Sequence, residues 1–128
     1  MIYFDSCIAI YYLEQHPRWH DAVKRIVAGA APGSICISSL VKAECLVKPM
    51  RTGNLPLQSK YFLFFAAIKS LEMPDDVYIA AARLRAQFNL KLPDALHLAC
   101  AQRHGCEALW TNDARLDAAA GGMARVLT

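Results

Sequence analysis

Residues 92–113, LPDALHLACAQRHGCEALWTND, decide the fold. The stretch opens on Pro93 and Asp94, continues as a nearly all-apolar helical segment, and turns at Gly105. It ends in a short strand-forming run and a second acid, Asp113. Pro93 suits a first helical turn, where the missing N–H is not needed. Read as helix–turn–strand, the unit places Asp94 and Asp113 on one edge of a sheet. Asp5 and Glu44 occupy matching positions in the first half. The expectation is that these four acids converge around a divalent cation.

Working outward, residues 1–4 form a short apolar run of strand formers closed by Asp5, expected to be a buried and central strand. Ser6 is placed to cap the helix SCIAIYYLEQ, which Pro17 stops. Residues 18–28 carry Trp19, Ala22, Val23, Ile26 and Val27 at helical spacing. Residues 34–38 read as a second strand, with Ser38 or Ser39 capping a third helix that runs toward Pro49 and holds Glu44. Residues 57–68 read as a helix and residues 70–73 as a third strand. Pro74, Asp75 and Asp76 then start a further helix. Residues 107–111 are the fourth strand and residues 124–127 a fifth. Short apolar strands alternating with helices predict an α/β fold, a mainly parallel sheet of four to five strands between helical layers. Such sheets bind ligands beyond the carboxyl ends of their strands.

A chain of 128 residues is expected to form one domain, residues 1–128, with one core. Hydrophobic residues at 55% against 20% charged exclude a disordered chain. The longest uninterrupted apolar run, residues 61–68 apart from its surroundings, is too short to span a membrane. Asp5 interrupts the N-terminal apolar stretch, so no signal peptide is expected. Five cysteines without a CxxC pair argue against a disulfide framework and for reduced thiols in the cytoplasm. The net charge of +3 permits a nucleic-acid partner without requiring one. A basic surface around an acidic pocket would suit metal-dependent phosphodiester chemistry.

Four carboxylates in one pocket repel one another, so either their pKa values rise or a cation neutralises them. All-oxygen ligation favours Mg²⁺ or Mn²⁺ over zinc. Taken singly, each acid has another reading. Asp5 would be a strand-end turn residue, Asp94 a helix-start charge, Asp113 a turn cap and Glu44 an exposed helix charge. Their occurrence in apolar surroundings at separate strand edges argues for a shared role.

The segments IYFDSCIAIYYLE (2–14), ISSLVKAECL (37–46), LPDALHLACAQRHG (92–105) and ALWTND (108–113) carry a further signal. Together they resemble the PIN domain, a metal-dependent ribonuclease fold, and within it the VapC toxins of bacterial type II toxin–antitoxin pairs. The resemblance spans nearly the whole chain, except that residues 49–67 show no fixed motif. It implies a three-layer α/β/α fold and a Mg²⁺- or Mn²⁺-dependent endoribonuclease. It also implies Asp5, Glu44, Asp94 and Asp113 as the catalytic acids, with Asp5, Asp94 and Asp113 as metal ligands and Glu44 as a ligand or a positioner of water. Ser6 and Thr111 match small hydroxyl positions that orient a carboxylate or phosphate, while Asn112 stands where the family varies. A structured RNA such as tRNA, a VapB-type antitoxin and a second copy of the chain are the implied partners. Two rivals stand beside this reading. One is a PIN-fold binding protein without catalysis. The other is a different metal-dependent phosphohydrolase, or a phospho-acceptor domain. Cys7 stands where a haloacid-dehalogenase phosphatase needs its second Asp, and the early adjacent acids of a receiver domain are missing.

Other constellations carry less. His97, Cys100, His104 and Cys106 have the look of a zinc set, but Cys106 lies beyond Gly105 and free Cys is commonly a small core residue. His97 is one turn after Asp94, and its expected role is packing, with one ring nitrogen bonded to backbone. Cys7 and Cys45 lie beside acids, which disfavour a thiolate nucleophile. The helix with Tyr61, Phe62, Phe64 and Phe65 is either covered on two sides or offers an intermolecular surface. Lys42, Lys48, Arg51, Lys91 and Arg115 lie near the acids in sequence and are the candidate RNA-phosphate contacts.

Overall fold

The short apolar runs pair as strands, and the amphipathic runs between them cover the resulting sheet. The computed structural model describes residues 1–128. In chain order the elements are β1 (Ile2–Phe4), α1 (Ser6–Leu13), α2 (His20–Gly29), β2 (Ile35–Ser38), α3 (Ser39–Arg51) and α4 (Leu55–Ala67). Then follow β3 (Lys69–Leu71), α5 (Asp75–Phe88), α6 (Leu92–Arg103), β4 (Ala108–Thr111), α7 (Arg115–Ala120) and β5 (Ala124–Val126). The sheet has five strands in the order β3-β2-β1-β4-β5, and every neighbouring pair is parallel.

Parallel strands need crossover connections, and helices supply them here. The chain moves from β1 outward to β3, returns to β4, and moves outward again to β5. With right-handed crossovers, the reversal puts α1–α4 on one face and α5–α7 on the other. The packing agrees: α1 touches α2 and α3, α3 touches α4, while α5, α6 and α7 touch one another. The result is the expected three-layer α/β/α architecture. The strand order reverses between β1 and β4, which are hydrogen-bonded neighbours with Phe4 opposite Trp110.

The core fills both sides of the sheet. Tyr3, Phe4, Ile37 and Leu109 are buried in the strands, and Ile8, Val41, Tyr61 and Val77 come from the helices. Helix α6 is apolar nearly all round, and every residue from Ala95 to Ala101 is buried. A helix of that character belongs in an interior. No helix is long and apolar enough to cross a membrane. All five cysteines are free.

Several boundaries differ from the sequence reading for identifiable reasons. Ser38 stands at the N-cap of α3 but makes no capping bond, because its hydroxyl is engaged by Tyr3 at 2.7 Å. Asp5, not Ser6, is the N-cap of α1. Pro49 does not end α3, which continues to Arg51; the Pro49 carbonyl instead accepts from Asn54 N and Gln58 Nε2. Asn54 caps α4 by accepting from Leu57 N at 3.1 Å, so that helix starts two residues earlier than its apolar face suggests. Helix α7 leaves no pattern in the sequence: six residues are too few to display a helical period, although Leu116, Ala119 and Ala120 are buried. The aromatic helix α4 divides its rings. Tyr61 and Phe65 are buried, whereas Phe62 and Leu63 are exposed.

Leu98 is fully buried in the middle of α6. Truncating it leaves a cavity that helices packed on both sides cannot readily close. Leu98→Ala is expected to cost about 2–5 kcal/mol of unfolding free energy in denaturant titrations.

Candidate metal centre

β1 ends at Phe4, and the next residue, Asp5, begins the turn into α1. Its backbone N–H donates to Trp110 O at 3.1 Å, so β4 fixes Asp5 directly. Asp5 is buried, with its side chain 9% exposed. Its Oδ2 accepts from Thr111 Oγ1 at 2.9 Å and its Oδ1 from Ser6 Oγ at 3.3 Å. The two hydroxyl residues picked out beside the acids thus both orient Asp5. Thr111 also accepts from the Asp113 backbone N–H at 3.1 Å, which ties the turn after β4 to the same carboxylate.

Glu44 reaches the edge from α3, which follows β2, and its side chain is 32% exposed. Its Oε1 lies 2.6 Å from His97 Nε2. His97 Nε2 is also 3.6 Å from Asp5 Oδ1. These three residues form the group whose ligand-type atoms lie within 4.8 Å of one another. Asp94 and Asp113 stand outside that tight group, on the same edge. Helix α6 runs back toward β4, so its N-terminal turn, with Asp94, faces the carboxyl ends of the strands.

The four acids differ in how the protein treats their charge. Asp113 is held in a fork: Arg115 Nε contacts Oδ1 at 3.0 Å and Oδ2 at 3.1 Å, and Nη2 contacts Oδ2 at 2.7 Å. The guanidinium lowers the Asp113 carboxyl below its ordinary range, with Lys91 adding to the effect. Asp94 has no hydrogen-bonding partner in the protein. Burial raises its carboxyl above the ordinary range, and the charges of Asp5 and Asp113 raise it further. An acid pushed up by burial and by other acids fits a centre completed by a cation. The donor set of Asp5, Glu44, Asp94 and Asp113 is all oxygen and suits a hard divalent ion.

His97 departs from its expected packing role. Neither ring nitrogen bonds to backbone; Nδ1 meets Tyr3 Oη at 2.7 Å and Nε2 meets Glu44. Tyr3 Oη also lies 2.7 Å from Ser38 Oγ. Tyr3, Ser38 and His97 are all fully buried. A signal for them was present in the sequence. Tyr3 and Asp5 share a strand face by the period of two, and His97 is one turn from Asp94 by the period near four. The zinc set, by contrast, is scattered: His104 Nε2 is on Glu72 O at 2.7 Å, and Cys106 Sγ is 3.9 Å from Cys36 Sγ. Burial pushes the Cys7 and Cys45 thiols up to about 12, which removes them as nucleophiles.

The candidate phosphate contacts separate in space. Lys91 is the N-cap of α6 and Arg115 opens α7, and both flank a cavity of about 200 Å³ that Asp94 also lines. Lys42 lies over the Phe65 ring, 6.0 Å from its centre. Lys48 and Arg51 follow Glu44 on α3 and are carried roughly 6–10 Å further along the helix axis, away from the sheet edge.

Stability of the cation-free protein should carry the mark of Asp94. Its folded-state pKa is raised, so between the ordinary carboxylate range and that raised value the folded chain binds more protons than the unfolded chain. Stability therefore falls as pH rises through that window. Asp113 contributes the opposite sign: its pairing with Arg115 stabilises above the ordinary range and is lost as pH falls through its lowered pKa. Asp94→Asn is expected to raise the melting temperature at pH 7 in EDTA and to flatten the decline above about pH 4.

The chain is similar to VapBC2 of Rickettsia felis, solved on a promoter DNA fragment, at 20% identity and a TM-score of 0.79, with 100% of both chains covered. It is similar to Mycobacterium tuberculosis VapC20, a sarcin–ricin loop cleaving toxin, at 16% identity and a TM-score of 0.79, covering 93% of this chain and 95% of that one. A chain of a toxin–antitoxin complex from Klebsiella pneumoniae matches at 23% identity and a TM-score of 0.74, covering 88% and 87%. No protein with a curated description matches the sequence. At these identities the solved structures speak to the fold. The family model of the PIN domain matches residues 2–122, and the chain belongs to the PIN domain family.

Proposed function

We propose that the protein is a Mg²⁺- or Mn²⁺-dependent endoribonuclease, acting as the toxin of a VapBC-type toxin–antitoxin pair. The observation that carries this reading is Asp94. It is a partly buried carboxyl without a protein donor, facing Asp5 and Asp113 at the reversal between β1 and β4. Family membership adds to it, as do solved relatives that are toxins or toxin–antitoxin complexes. The working unit is one domain, residues 1–128, acting in the cytoplasm on a structured RNA such as tRNA.

Asp5, Asp94 and Asp113 would hold the cation, and Glu44 would hold it or position water. A divalent cation held there makes water acidic enough to attack near neutral pH and offsets the charge that develops on the phosphodiester. The protein's own residues do the placing. Thr111 and Ser6 fix both oxygens of Asp5, so that carboxylate presents one orientation. Glu44 keeps Oε2 free while Oε1 is held. Arg115 grips Asp113 in the RNA-free protein. An RNA phosphate that draws the guanidinium away releases Asp113 for the cation, so substrate binding and completion of the centre are coupled. Lys91 is the second cation beside this path.

The α3–α4 hairpin exposes Val47, Met50, Leu55, Phe62 and Leu63. An apolar surface of that extent calls for a cover. A second copy of the chain is the proposed cover, with the VapB-type antitoxin as a further partner.

Three measurements test the reading. Purified wild-type protein should cut total RNA into discrete fragments with Mg²⁺ or Mn²⁺, and both EDTA and Asp94→Asn should abolish them. Intact RNA under all conditions, from folded and antitoxin-free protein, would favour the non-catalytic binding reading. Arg115→Ala should weaken RNA binding and lower the slope of log affinity against log salt by about 1. Leu55→Asp with Leu63→Asp should elute as a monomer where the wild type elutes as a dimer.

A further inference from the structure

We infer that Ser38, Tyr3 and His97 form a buried relay that fixes the imidazole as its Nε2–H tautomer, making His97 a positioning residue for Glu44 and not a metal ligand. The inference rests on the reading of the acidic set as the cation site and deepens it.

In a site closed to water, each proton needs an acceptor within the protein. Ser38 Oγ meets Tyr3 Oη at 2.7 Å, Tyr3 Oη meets His97 Nδ1 at 2.7 Å, and His97 Nε2 meets Glu44 Oε1 at 2.6 Å. Ser38, Tyr3 and His97 are each 0% exposed. Neutral imidazole carries one N–H, on either nitrogen. With the proton on Nδ1, Tyr3 accepts it and must donate to Ser38. The Ser38 proton then has no acceptor, and bare Nε2 faces a carboxylate oxygen at 2.6 Å, lone pair against lone pair. With the proton on Nε2, Ser38 donates to Tyr3, Tyr3 donates to Nδ1, and Nε2–H donates to Glu44. Every proton then has an acceptor, and a buried polar group without one is costly. Burial also raises the Tyr3 phenol well above its ordinary pKa, which keeps it a donor.

The register of the sheet makes the relay possible. Tyr3 pairs with Cys36 in the parallel ladder, so Ser38 lies two residues further toward the site edge. The phenol spans that offset. The closeness of His97 to Asp5 and Glu44 has the look of a third metal ligand. The tautomer removes that option, because Nε2 has no lone pair to offer. Its N–H instead holds Glu44 Oε1 and points within 3.6 Å of Asp5 Oδ1, setting the spacing of two oxygen ligands. Outer partners of this kind commonly change metal affinity by about 10–100-fold.

Nitrogen-15 NMR of the imidazole tests the tautomer in cation-free protein, and titration calorimetry with Mn²⁺ tests the positioning. The expected spectrum shows Nε2 protonated and Nδ1 as acceptor, with Nε2 still protonated after Mg²⁺ is added. His97→Ala should bind Mn²⁺ about 10–100-fold more weakly. His97→Gln, which restores an N–H near the Nε2 position, should recover most of the loss. Tyr3→Phe should leave a mixture of tautomers and a smaller loss. A protonated Nδ1, a proton lost from Nε2 on adding Mg²⁺, or equal Mn²⁺ affinity for wild type and folded His97→Ala would each overturn the inference. Absence of Mn²⁺ binding by the wild type would instead overturn the cation-site reading, and the cation-free spectrum would still decide the tautomer.

Discussion

Strand β1 is three residues long, yet its parallel pairing with β2 and β4 locates most of the acidic edge. Asp5 leaves β1 itself. Glu44 is carried by the helix after β2, and Asp113 by the turn after β4. A slip of one residue in the pairing of β1 with β4 would turn Tyr3 and Asp5 together to the opposite face and separate Asp5 from Thr111. The pairing is held by the burial of Tyr3, Phe4, Ile37 and Leu109 on both faces of the sheet. The hydrophobic core therefore sets the distances between charges.

The protein answers the repulsion among those charges unevenly. Asp5 has two hydroxyl donors, Glu44 an imidazole, and Asp113 a guanidinium. Asp94 has none. The electrostatic strain of the cation-free state consequently gathers on the one carboxyl that rides on the most deeply buried helix. A group that is stabilised only when a cation arrives is what separates a binding site from a surface cluster of acids.

Much of this was legible in the sequence. The alternation of short apolar strands with helices gave a parallel sheet, and the strand-end position of the acids placed them on one edge. Other features needed three dimensions. Ser38 reads as a helix cap from its neighbours, but a capping bond and a bond to Tyr3 compete for one hydroxyl, and the residue that wins is 35 positions away. His97 reads as a core residue because its helix is apolar all round, and it is indeed fully buried. What local pattern could not show is that the interior it enters is the polar underside of the acidic edge. Lys48 and Arg51 are close to Glu44 along the chain, but the rise of the helix takes them elsewhere. Helix α7 fell below the length at which periodicity speaks.

Helix α6 joins stability to chemistry in a single element. Residues Ala95 to Ala101 are buried without a break, so the helix has little freedom to rotate or slide. Asp94 and His97 are three residues apart on it and share a face, one toward the cation side of the edge and one beneath it. Sites held on packed helices are more exact in their geometry than sites on loops. The same fact makes the centre sensitive to its own core: a shift of α6 moves an acid and the group that positions another acid together. The relation of Asp94 to Glu44 thus depends on how α6 packs against α5 and β4 as much as on the two carboxylates themselves.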